Sequence, residues 1–174
     1  MKTLGRHVVH AVTRGRARQR RWIAEFASEL RGARVLEIGS GKQVNGAYPY
    51  SSAELFDPSC DVVRSDFNPA FGHAVVDVTA MEYDGEFDAV LCANVLEHVA
   101  EPAAAVAGIA RALRPGGVTL VTVPFIYPLH DEPIDFWRFT EHGLRHLFAD
   151  YAEVHIARGG ARVAPWSYAV TARP

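Results

Sequence analysis

The sequence has only two cysteines, Cys60 and Cys92, and no Cys-x-x-Cys pair. That usage points to neither a disulfide scaffold nor a zinc site. No apolar run approaches the ~20 residues needed to span a bilayer. The basic start has no continuous apolar stretch behind it, so no signal peptide is expected and the cytoplasm is the default location. A large excess of charge is missing too. The formal net charge is −2 and the pI about 6.4, which argues against a nucleic-acid binder recognised by charge alone. Internal repeats and low-complexity segments are also lacking. What is present is 174 residues, 49% hydrophobic and 22% charged, enough for one domain with one substantial core.

The most informative stretch is 35–41, Val-Leu-Glu-Ile-Gly-Ser-Gly. Val35, Leu36 and Ile38 form the apolar run of a parallel strand covered on both faces. Gly39 and Gly41 lack a Cβ, so the backbone can turn sharply and approach a ligand closely. Glu37 is a carboxylate in a strand that should be buried, which is costly unless it meets a cation or a hydrogen-bond donor. Ligands of open α/β sheets bind at this end of the strands. The same residues are compatible with a plain topological turn. The dinucleotide fingerprint fails here, because its third glycine position holds Val44.

Charge is uneven along the chain. Residues 1–34 carry Lys2, Arg6, Arg14, Arg16, Arg18, Arg20, Arg21, Arg31 and Arg34 against Glu25 and Glu29. Residues 3–31 read as one or two helices with an apolar face at Trp22, Ile23, Phe26 and Leu30, stopped at Gly32. The arginine run reads as a solvated face or as a contact for phosphates or an acidic partner. This gives a basic helical segment over 1–32, a candidate lid, ahead of a ligand-binding domain over 33–174. Whether the helix is a lid, a homodimer surface or a docking site is open at this level.

Strands are expected at 34–38, 61–65, 74–78, 87–92 and 118–123, with a terminal antiparallel pair at 152–157 and 167–172. A short helix is expected around 52–56. Another starts at Pro102, buries Val106, Ile109, Ala110 and Leu113, and stops at Pro115-Gly116-Gly117. A last one is capped by Thr140 and buries Leu144, Leu147 and Phe148. Asp66 ends the second strand where a ribose diol would be held, its two acceptor oxygens matching two vicinal hydroxyls. A turn-initiating Asp before Phe67-Asn68-Pro69 is the other reading. Asp77, among valines, is placed to accept from an exocyclic amine. Asn94 and His98 follow the fourth strand, His98 as a structural hydrogen-bonder or a general base. The loop 124–139 is long and rich in aromatic and ionisable residues, which marks it as functional.

Together these motifs resemble the class I S-adenosylmethionine-dependent methyltransferases, most closely their type 11 subgroup. The resemblance rests on Glu37-Ile-Gly39-Ser-Gly41, on Asp66, on Asp77 in Val-Val-Asp-Val, on the block from Phe87 to Asn94-Val-Leu-Glu97-His98, and on Leu113-Arg-Pro-Gly-Gly. It implies an α/β, Rossmann-like sheet of seven strands, parallel except for the last, with helices on both faces. It implies S-adenosylmethionine as cofactor, S-adenosylhomocysteine as product, and no metal. Gly39, Ser40 and Gly41 would flank the methionine part, with Glu37 by its amino group. Asp66 would take the ribose, Phe67 the adenine face, Asp77 and Val78 the adenine edge. Asn94 would lie beside the methionine. The departure is the stretch 45–50, whose glycine, tyrosine and proline replace the family's first helix.

Methyl transfer from a sulfonium is an in-line displacement that depends mainly on orientation and exclusion of water. A base is needed only for a hydroxyl or a protonated amine, and the candidates are His130, His98, Asp131 and Asp135. Tyr127, Asp135, Trp137 and Arg138 would shape the acceptor pocket, Arg138 either binding an anionic acceptor or stapling the loop through Asp135. The acceptor reads as a small molecule or glycan-like metabolite. An RNA or protein methyltransferase docking through the basic helix, and a non-catalytic cofactor-binding scaffold, are the alternatives.

Overall fold

The computed structural model describes residues 2–47 and 49–174, with side chains beyond residue 12. Seven strands form one sheet in the order β3-β2-β1-β4-β5-β7-β6. Strands β1 (Arg34–Ile38), β2 (Asp61–Asp66), β3 (Ala74–Val75), β4 (Phe87–Ala93) and β5 (Leu113–Pro124) are parallel. The last strand, β7 (Ala164–Arg173), runs antiparallel to both β5 and β6 (Glu153–Ala161). The chain winds outward from β1 to β3, then returns to β4 on the other side of β1. The crevice where strand order reverses is where such sheets take ligands.

Successive strand residues feed opposite faces, as the two-residue period requires. Val35, Ala89, Leu91 and Leu120 meet Trp22, Ile23, Phe26 and Ala27 of α1 (Lys2–Ser28). Leu36, Val90, Val121 and Val170 meet Val106 and Ile109 of α2 (Pro102–Ala112) and Leu144 of α3 (Glu141–Leu147), with Phe148 just beyond it. The expected seven-stranded sheet with helices on both faces is therefore the one observed. No helix of the described residues is long and apolar enough to cross a membrane.

Local departures have local causes. The third strand shrinks from the expected 74–78 to two residues, because Asp77 turns the chain by accepting from the N–H (2.9 Å) and O–H (2.7 Å) of Thr79. A short polar side chain offers the backbone this alternative to the ladder. β5 begins early: Leu113 pairs with Phe87, then residues 114–117 bulge out before Val118 pairs with Ala89. The helix foreseen at 52–56 is a single 3-10 turn, Ala53–Leu55. Part of the unusual stretch 45–50 falls on Tyr48, outside the described residues.

Candidate active site

The C-terminal ends of β1, β2 and β4 form a tightly bonded edge. The N–H groups of Gly39 and Ser40 both donate to Ser65 O at 2.9 Å. Gly39 and Gly41 have φ of 80° and 69°. A Cβ on Gly39 would collide with Cγ2 of Val95, and one on Gly41 would lie 2.7 Å from Cβ of Tyr50. Glu37 is buried and meets three donors: the hydroxyls of Ser40 (2.7 Å) and Ser51 (2.6 Å), and the N–H of Ser52. It thereby pins the segment after the glycine turn to β1.

Asp66 is buried, accepting from Gly41 N–H and Asn68 N–H, each at 3.0 Å, on separate oxygens. A carboxylate oxygen has two lone pairs, so each keeps acceptor capacity. Beside it Phe67 is 67% exposed, an uncovered aromatic face. Asp77 is exposed, and the Thr79 bonds hold its carboxyl below the usual carboxylate range. Its second oxygen has no hydrogen-bond partner among the described residues. Val78 is buried. Asn94 sits at φ 53°, and its side-chain amide pairs reciprocally with Gln19 of α1 at 2.8 and 3.4 Å. An open aromatic face beside a carboxylate with spare acceptor capacity fits a nucleoside-bearing cofactor.

The loop after β5 is tied to the turn that follows β4. Phe136 and Trp137 donate their N–H groups to Glu97 O (2.8 and 3.1 Å), and the Trp137 indole donates to Val99 O (2.8 Å). The loop lines a cavity of about 560 Å³ that includes Tyr127, Leu129, Phe136 and Trp137. Arg138 grips Asp135 bidentately at 2.7 and 2.8 Å and also donates to the carbonyls of Tyr127, Pro128 and Trp137. The staple, of the two roles foreseen for Arg138, is thus the one its contacts describe. The Asp135 side chain is 1% exposed, and Arg138, outweighing its burial, holds that carboxyl far below the usual range.

His98 and His130 stack edge-to-face at 4.7 Å, and Tyr127 lies 4.7 Å beyond His130. Asp131 is at the rim, its carboxylate 3.9 Å from His98 Nε2. Glu97, between them, had no role assigned from sequence. It is fully buried, and neither carboxylate oxygen has a hydrogen-bond partner among the described residues. Burial pushes its carboxyl up to about 8, with Asp135 and Asp131 adding to the rise and Arg138 opposing it. Its signal in the sequence was weak: one acid bracketed by Val95, Leu96 and Val99. Gln19 had none.

The basic helix uses several arginines on rings. Arg14 lies over Trp166, Arg16 over Tyr127 and Arg18 over Trp22, at 5.6–5.9 Å from the ring centroids. Arg16 also donates to the Tyr127 hydroxyl at 2.6 Å. Through Gln19 and Arg16, α1 reaches both the β4 edge and the loop after β5.

The profile of a family described as a methyltransferase domain, Methyltransf_23, matches residues 12–152. The chain belongs to that family, among the class I S-adenosylmethionine-dependent methyltransferases. The ubiquinone biosynthesis O-methyltransferase of Aromatoleum aromaticum is 36% identical over 108 residues, covering 55% of this chain and 45% of that protein. The enzyme of the same name from Erwinia tasmaniensis is 30% identical over 112 residues, covering 55% and 44%. The match thus spans under half the length of these curated relatives. Among solved structures, the Burkholderia thailandensis 1,6-didemethyltoxoflavin-N1-methyltransferase with bound S-adenosylhomocysteine superposes with a TM-score of 0.64. It is 23% identical, over 89% of this chain and 77% of that one. The [4+2]-cyclase SpnF superposes with a TM-score of 0.69 at 17% identity, over 90% and 80%. These two likenesses speak for the fold alone, and a cyclase on the same fold shows why the acceptor must be argued from the site.

Proposed function

We propose that this chain transfers a methyl group from S-adenosylmethionine to a hydroxyl of a small-molecule or glycan-like acceptor. The observation that carries this reading is a juxtaposition. The turn that starts at Asn94, on the cofactor edge, also holds Glu97 and His98 and anchors the loop that brings His130 and the cavity.

The cofactor supplies a methyl group already activated on a sulfonium. The protein's task is to hold donor and acceptor in line and dry. In this reading Asp66 takes the ribose hydroxyls on its spare lone pairs. Phe67 lies on the adenine face, and Asp77 with the backbone of Val78 takes its edge. Gly39, Ser40, Gly41 and Asn94 flank the methionine portion, and Glu37 keeps that wall in place through its three donors. Gln19 and Arg16 draw α1 across the edge as a cover. The acceptor enters between Tyr127, Phe136 and Trp137, and its hydroxyl proton leaves at the cluster of His98 and His130, with Asp131 at the mouth.

Calorimetric titration with S-adenosylhomocysteine, on wild type and Asp66→Ala, tests the cofactor half. Micromolar binding that weakens about tenfold or more in the variant, a change of about 1.4 kcal/mol, is expected. Absence of binding by folded wild type, or equal affinity in both proteins, overturns it.

A further inference from the structure

Three groups able to ligate a metal converge at the inner end of the loop after β5. One oxygen of Glu97 and one ring nitrogen each from His98 and His130 lie within 4.8 Å of one another. Glu97 is wholly buried, with no hydrogen-bond partner on either oxygen among the described residues. A buried carboxylate of this kind calls for a cation or donors.

Both imidazoles are oriented from behind. His98 Nδ1 is 3.0 Å from Ile134 O. His130 Nδ1 is 3.2 Å from Pro128 O and 3.2 Å from Asp135 Oδ2. Carbonyl and carboxylate oxygens accept, so each neutral ring carries its proton on Nδ1 and presents a lone pair on Nε2. Asp135 is itself fixed by the Arg138 fork. Metal-ligating histidines are held this way, with the far N–H on a carboxylate or carbonyl.

We propose that Glu97, His98 and His130 bind a divalent cation of the zinc class, leaving one coordination position open. Two imidazole nitrogens and one carboxylate suit a borderline cation, whereas magnesium and calcium take oxygen ligands. Three protein ligands with an open position is the pattern of catalytic zinc. Zinc bonds of about 2.0–2.1 Å in a tetrahedron put ligand atoms about 3.4 Å apart, so the cluster tightens when the cation enters. The cation supplies the countercharge that Glu97 lacks. This departs from the expectation from sequence that the protein uses no metal; with the cation bound, His98 and His130 serve as ligands, and the acceptor's proton passes to Asp131 at the rim in place of the two imidazoles. An acceptor oxygen on the open position would be polarised by the cation. That consequence rests on the methyl-transfer reading; the site does not.

The test is calorimetric titration of the chelator-treated 174-residue chain with zinc chloride, on wild type, Glu97→Gln, His130→Asn and, as a control, exposed His142→Ala. Cobalt titration followed by visible absorption reports the coordination number. The expected result is one zinc per chain in wild type and in His142→Ala, with affinity falling about tenfold or more in the other two. A wild type that binds no zinc, or equal affinity in all four proteins, overturns the proposal. S-adenosylhomocysteine is titrated into the same samples. Its retained binding in Glu97→Gln shows that the loss of zinc is not a loss of fold; should that variant misfold, His130→Asn decides. Zinc binding without S-adenosylhomocysteine binding leaves the cation site standing and removes the methyl-transfer reading.

Discussion

Gly39 is the position where a single methyl group tests the site's architecture. Alanine there meets two penalties. At φ 80° an L side chain costs about 1–2 kcal/mol. The new Cβ also runs into Cγ2 of Val95, and overpacking of this kind costs about 1–3 kcal/mol. The sum is about 2–5 kcal/mol, a large part of the ~5–15 kcal/mol that holds a domain together. At ~2–4 °C per kcal/mol for a chain of this size, Tm falls by roughly 4–20 °C. The two penalties separate in a double-mutant cycle with Val95→Ala. Removing the valine's methyls relieves the collision and leaves the dihedral cost, so the cycle shows a favourable coupling of about 1–3 kcal/mol. Val95 has little room to evade, since a β-branched side chain is stiff about χ1. The assay is urea unfolding of the four proteins followed by circular dichroism. A coupling within about 0.5 kcal/mol of zero, the scatter of independent sites, would refute the claim that Val95 packs where the Cβ must go.

Arg138→Met leaves the Asp135 carboxylate, 1% exposed, without its cation; a loss of about 3 kcal/mol is expected, read as a drop in Tm, and Asp135→Asn in that background restores part of it. An unchanged Tm would show that the fork does not hold the loop. Gln19→Leu removes the amide pair with Asn94 and should change stability by under about 1 kcal/mol while weakening S-adenosylhomocysteine binding several-fold; unaltered affinity would count against α1 as a cover. Cys92 is fully buried and burial pushes its thiol up, whereas Cys60 is half-buried, so a thiol reagent should titrate one cysteine in the native protein and both in urea. Equal reactivity of the two without denaturant would contradict the packing of β4.

The sheet was legible because its central strands are apolar on both faces, which few other contexts tolerate. Residues 35–38, 87–92 and 118–123 each supply side chains to both helical layers. The glycine turn was legible for a related reason: its dihedrals admit few other residues. The third strand was overread because its valines signal a strand while Asp77 signals a turn, and the turn's two local hydrogen bonds win. The role of the basic helix was not legible. Its charges read as a solvated face or as a contact for a partner, yet Arg14 and Arg16 find rings more than 100 positions along the chain. Contacts of that separation leave no periodic trace.

The two buried glutamates separate what the chain's architecture needs from what its site needs. Both lie where the strands end, and both are wholly or almost wholly shielded from water. Glu37 was the conspicuous one in the sequence, an acid inside a strand, and it was expected beside a ligand's amino group. Two serine hydroxyls and a backbone N–H answer it within the protein, which makes it intelligible as a brace. Glu97 drew notice only as part of a motif, yet among the described residues its buried carboxyl has no hydrogen-bond partner. Folding tolerates an unanswered buried acid only by keeping it protonated or by supplying a countercharge. Two imidazoles fixed by their far nitrogens stand on the same few ångströms of space. Glu37 gathered serines; Glu97 has gathered groups able to hold a cation.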